Sequence, residues 1–164
     1  MCKSKFLRKK EINYKLFQTI DDLSPTDQTL IRKAWEYTLD AYAPYSGFQV
    51  GAAALLEDDV VVKGVNQENA SYPAGLCAER VALFSAGAQY PNKAIKTLAV
   101  CANNPFKPLK EPAFPCGFCL QVILEFEFRQ KKAIRLLMGN PTTAIIEIES
   151  AQSLMPFAFN PDQL

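Results

Sequence analysis

The feature that most constrains this chain is a set of three cysteines that only a particular backbone path can unite. Cys77 stands in Cys77-Ala78-Glu79, and Pro115-Cys116-Gly117-Phe118-Cys119 follows much further along, in a chain without histidine. A closed structural zinc site takes four tetrahedral ligands, whereas a catalytic one takes three from the protein and leaves the fourth position open. Three clustered cysteines with no histidine to complete the set point to an open site, with the carboxylate of Glu79 beside it. There are five cysteines in all, an odd number. In a reducing compartment a C-x-x-C pair is better suited to metal binding or redox work than to a structural bridge.

The local patterns predict how the path is built. Residues 1–23 mix charges with scattered apolar residues in no firm period and read as an N-terminal arm, ahead of a single domain over 24–164. Ser24-Pro25 supplies an N-cap and a proline at the first helical position, and Leu30, Ile31, Ala34, Trp35, Thr38 and Leu39 keep the spacing of an amphipathic helix ending before Pro44. Residues 48–57 and 60–65 are apolar and valine-rich around an acidic turn, which predicts a largely buried antiparallel hairpin. Residues 77–89 and 116–129 read as helices with the cysteines in their opening turns, and 95–101, 133–138 and 144–148 as strands. A short helical turn follows near residues 150–154. The order predicts an α/β layered domain, a mixed sheet of about five strands flanked by helices.

The helix placement has chemical content. Thiols must ionise to hold zinc, and the positive end of a helix favours a thiolate. Three thiolates leave a zinc dication with a net negative cluster. Arg80, next to Glu79, is a candidate for the cation that donates to the sulfurs and withdraws charge from them; otherwise it is a solvated helix residue.

With these motifs the chain resembles the small homotetrameric cytidine deaminases, over about Ala41 to the C-terminus. Ala41-Tyr42-Ala43-Pro44-Tyr45-Ser46-Gly47-Phe48-Gln49-Val50-Gly51-Ala52 resembles the segment entering the family's first strand, Asn66-Gln67-Glu68-Asn69-Ala70 its ribose loop, and the cysteine motifs its metal site. The resemblance implies one zinc per chain on Cys77, Cys116 and Cys119, with Glu79 as proton shuttle. It also implies Asn66 and Glu68 on the ribose hydroxyls, Phe48 against the pyrimidine and the Ala78 backbone on the base edge. Tyr72 would lie at a subunit contact, and Phe159 would close over a neighbouring subunit's substrate. The implied reaction is hydrolytic deamination of cytidine and deoxycytidine to uridine and deoxyuridine, with release of ammonia, in a homotetramer with shared active sites. Two positions depart from the family pattern: Leu120 where arginine is usual, and Phe118 where a small residue is usual.

Composition narrows the partners. With 18 Lys plus Arg against 17 Asp plus Glu, the chain lacks the basic footprint of a nucleic-acid binder, which disfavours a polynucleotide substrate. No apolar run reaches the roughly 18 residues of a membrane span, and the opening residues lack the apolar core of a signal peptide, so a cytoplasmic protein acting on a small nucleoside is expected. Deamination of a nucleoside analogue such as blasticidin S is an alternative. A structural zinc module or a redox C-x-x-C protein would need neither Glu79 nor a ribose loop. Cys101 ends an apolar strand and reads as a small buried hydrophobe, and Cys2 lies in the arm; neither has an assigned role.

Overall fold

A computed structural model of the chain describes residues 7–164; Cys2 lies outside the described residues. Helix α1 (Pro25–Tyr37) starts as its sequence predicts, with the Ser24 hydroxyl accepting from the Asp27 amide and Pro25 opening the helix. It is followed by the antiparallel hairpin of β2 (Gln49–Leu56) and β3 (Val61–Val65), reversed through Asp59 at φ 65°. Helix α2 (Ala78–Gln89), strand β4 (Ile95–Asn103), helix α3 (Gly117–Gln130) and strands β5 (Arg135–Met138) and β6 (Ile145–Ile148) complete the domain.

The sheet has six strands rather than five, because Lys15–Phe17 of the arm adds a strand, β1, to the free side of β6. Its order is β1-β6-β5-β4-β2-β3. All neighbours run antiparallel except β4 and β5, which are parallel and are therefore joined by a crossover through α3.

Strand alternation divides the core into two layers. Ala52, Ala54 and Leu56 of β2, Leu98 and Val100 of β4, and Leu136 and Met138 of β5 face α2 and α3, where Ala82, Leu83 and Ile123 meet them. Ala53, Leu55, Ala99 and Leu137 face the other way, onto Leu30, Ile31 and Ala34 of α1 and onto Ile20 and Leu23 of the arm. Both faces of the sheet are covered, which explains why β2 and β4 are continuous apolar runs rather than alternating ones.

Two glycines set how closely the hairpin's helices approach. A Cβ at Gly51 would lie 2.1 Å from the Ala34 carbonyl oxygen of α1, and one at Gly64 would lie 2.2 Å from the Ala78 carbonyl oxygen of α2. Helix α2 thus rests on the backbone of β3, with no side chain between them at Gly64.

Candidate active site

Cys77 and Cys116 are the N-cap residues of α2 and α3, one position before the helices the sequence placed them in. Each has extended backbone angles and neither side chain caps its own helix, so both sulfurs are free to turn elsewhere. Cys119 sits in the first turn of α3, fully buried. The three Sγ atoms lie within 4.8 Å of one another, with Cys116 and Cys119 at 3.5 Å. With Zn–S bonds of about 2.3 Å, sulfurs around a tetrahedral zinc are about 3.8 Å apart. The cluster is close to that spacing, and its soft sulfur donors suit zinc. All three residues, like Cys101, are free cysteines.

The cluster is prepared to carry negative charge. The Cys77 thiol is pulled down to about 5, first by hydrogen bonding with the Cys119 thiol and then, against its own burial, by the hydrogen bond and charge of Arg80. Cys119 is pushed up correspondingly, by that same hydrogen bond and by burial. Arg80 Nη2 lies 3.8 Å from the Cys77 sulfur and donates to the Gly75 carbonyl at 3.2 Å. Burial opposes the guanidinium charge, but the thiolate beside it more than compensates and raises its pKa. Arg80 Nε is buried and has no hydrogen-bond partner among the described residues.

Glu79, in the first turn of α2, is only 5% exposed. Burial, joined by the negative charge of Cys77, raises its carboxyl above the ordinary glutamate value. A carboxyl so placed, in a cavity wall, is suited to exchange a proton with a bound group.

All of these site residues but the buried Cys119 line one cavity of about 360 Å³. Its wall includes Phe48, Asn66, Glu68, Cys77, Glu79, Arg80 and Cys116. Asn66 and Glu68 are both engaged with the protein itself. Asn66 Nδ2 donates to the Phe48 carbonyl and Oδ1 accepts from the Val50 amide, each at 2.8 Å. Glu68 Oε2 accepts from the Tyr45 and Ser46 amides at 2.9 and 3.2 Å, and Oε1 accepts from the Ser46 hydroxyl. That hydroxyl is the leading cause of a depressed Glu68 pKa.

Three residues named from the sequence lie outside the lining: Cys119, which is fully buried, Ala78 and Phe159. Ala78 is fully buried as the first residue of α2. Phe159 is 56% exposed, with its carbonyl accepting from Gln121 Nε2 of α3 at 2.9 Å. The cavity also uses residues that the sequence did not single out: Val100 of β4, in register with Ala52 of β2, and Ala113 and Phe114 from the loop before α3. Phe114 stands two residues before Cys116, but nothing in a proline-punctuated loop distinguishes it from its neighbours. A second cleft, of about 380 Å³ at the far ends of α2 and α3, has no cysteine in its wall.

The family model described as the cytidine and deoxycytidylate deaminase zinc-binding region matches residues 24–134. A cytidine deaminase of Halalkalibacterium halodurans is 40% identical over 137 residues, covering 84% of this chain and 96% of its own. One of Sporosarcina psychrophila is 37% identical over 138 residues, covering 84% and 93%. Among solved structures, that of cytidine deaminase from Burkholderia pseudomallei superposes with a TM-score of 0.67 at 38% identity, covering 80% of this chain and 97% of that one.

Proposed function

Because this chain belongs to the cytidine and deoxycytidylate deaminase family, we propose that its cavity hydrolyses cytidine and deoxycytidine to uridine and deoxyuridine and releases ammonia. The observation that carries the reading is the position of the buried Glu79 in the same wall as Cys77 and Cys116 of the sulfur cluster. Cys77, Cys116 and Cys119 would hold one zinc per chain. When bound, zinc acidifies water so that it can be deprotonated near neutral pH.

The chain's own groups account for the rest of the chemistry. The Glu79 carboxylate takes one proton from the attacking water and passes it to N3 of the pyrimidine, then takes the second from the new C4 hydroxyl and delivers it to the departing amine, so that water and the nucleoside yield the keto product and ammonia. Phe48 offers an aromatic face to the ring, and the Ala78 backbone at the helix start is the partner proposed for the base edge. Asn66 and Glu68 are proposed for the ribose hydroxyls, with Glu68 able only to accept. Arg80 offsets the charge of the thiolates.

We extend the reading to a cytoplasmic enzyme of pyrimidine salvage that works as a homotetramer, with Phe159 closing a neighbour's site. Free thiols at the site suit a reducing compartment. Tyr72 and Phe114 at the cavity, Phe118 nearby and Phe159 on the tail are large exposed apolar groups of the kind that mark association surfaces. No helix of the described residues is long and apolar enough to cross a membrane.

The test separates metal from proton transfer. Purified protein should lower cytidine absorbance and contain zinc, whereas Glu79→Gln should keep about one zinc per chain and lose about 10²- to 10⁴-fold in rate. Turnover without zinc, or loss of zinc in the variant, would defeat the reading.

A further inference from the structure

Phe48 and Glu68 both line the cavity, and one side chain outside the lining joins them. Ser46 Oγ donates to Glu68 Oε1 and accepts from the Phe48 amide N–H at 2.9 Å. The amides of Tyr45 and Ser46 reach the other carboxylate oxygen, Oε2. The turn that aims these three donors is fixed by Gly47. Its φ is 67°, its amide donates to the Ala43 carbonyl at 3.0 Å, and a Cβ there would lie 2.8 Å from the Phe106 ring. A side chain at Gly47 is therefore opposed by both backbone conformation and space.

Acceptor counting gives this turn a consequence for ligand binding. An ionised carboxylate has about four acceptor positions. The protein fills three on Glu68 with Tyr45 N–H, Ser46 N–H and Ser46 O–H. One is left for a donor that enters the cavity. Without the Ser46 hydroxyl, Oε1 would lose its only partner among the described residues and the carboxylate could swing about the remaining contacts to Oε2. The same loss would release the Phe48 amide, at the start of the aromatic wall.

We infer that Ser46 is a positioning residue for the nucleoside: its hydroxyl holds the Glu68 carboxylate with one acceptor position left for a ribose hydroxyl and, at the same time, fixes the backbone that presents Phe48 to the base. The inference rests on the reading of the cavity as a nucleoside site. It assigns Ser46 no contact with the substrate and no part in proton transfer.

The experiment measures kcat and KM for cytidine, together with zinc content, in Ser46→Ala, Ser46→Thr, Glu68→Ala and the Ser46→Ala/Glu68→Ala double variant. Ser46→Ala should raise KM about tenfold, the scale of a hydrogen bond to a charged group, with zinc content retained and kcat within about twofold, as expected when binding rather than chemistry is affected. Ser46→Thr, which keeps a hydroxyl, should recover most of the affinity. Once Glu68 is gone, removing the Ser46 hydroxyl should change kcat/KM less than about twofold, because coupled residues are not additive. An unchanged KM in Ser46→Ala, failure of threonine to restore it, or the same loss with and without Glu68 would overturn the inference; the last would identify a general weakening of the turn. Failure of the underlying reading would look different, as a wild-type protein that leaves cytidine unchanged.

Discussion

At the scale of single residues, the site concentrates negative charge at two helix starts and corrects it with one cation. Leu120 of α3 is buried in the core, 9% exposed, and adds no charge near the sulfurs. Among the described residues Arg80, with its guanidinium 3.8 Å from the Cys77 sulfur, is therefore the cation that contacts the cluster. Arg80→Ala should lower kcat or zinc affinity about 10- to 100-fold, the range for partners of metal ligands, while KM changes less; steady-state kinetics and chelator competition would measure it. The ligand candidates and Glu79 were legible in the sequence because their spacing is short and tied to helix starts. The hydrogen-bond partners of Asn66 and Glu68 were not. Those of Asn66 are the backbone of Phe48 and Val50, those of Glu68 a turn at Tyr45 and Ser46 more than twenty residues upstream of it, and no local pattern announces either meeting.

At the scale of elements, the site depends on how closely α2 lies on the hairpin. A Cβ at Gly64 would stand 2.2 Å from the Ala78 carbonyl oxygen and 2.5 Å from the Ala82 amide nitrogen, both backbone atoms that only a movement of the helix can clear. Gly64→Ala should destabilise the protein by about 2–3 kcal/mol through overpacking, seen as a fall of about 5–10 °C in thermal midpoint for a chain of this size. The moved helix carries Cys77 and Glu79 with it, so activity should fall as well, although Gly64 does not line the cavity. The helices and five of the strands could be read from capping residues, apolar runs and turns. Strand β1 could not, because Lys15-Leu16-Phe17 is too short to display a period. Its extended form comes from the edge of β6, a case of tertiary context deciding secondary structure.

At the scale of the molecule, an ionic network fastens the arm and α1 to the sheet. Arg135 of β5 pairs with Asp27 through Nη2–Oδ1 at 2.5 Å and Nη1–Oδ2 at 3.0 Å, and with Glu147 of β6 at 3.0 Å; Lys15 of β1 meets Glu147 at 2.6 Å. Burial pushes the Asp27 carboxyl upward, but the hydrogen bonds and charge of Arg135, with help from Ser24, hold it below the ordinary value. A depressed carboxyl contributes stability that is present above the unfolded value of about 3.9 and is lost as pH falls through the lower folded value. Asp27→Asn should therefore cost about 3 kcal/mol at pH 7, the lower end for breaking a buried pair, since Arg135 keeps Glu147. Below pH 4 the difference from wild type should narrow, and urea unfolding at several pH values would show it. The same arm has a consequence for handling the protein. The family match begins at residue 24, beyond β1, so a version trimmed to that point would expose the outer edge of β6 with the carboxylate of Glu147 as its guard against strand addition. Such a protein would carry a sticky end, and its shelf life at high concentration would suffer before its chemistry did.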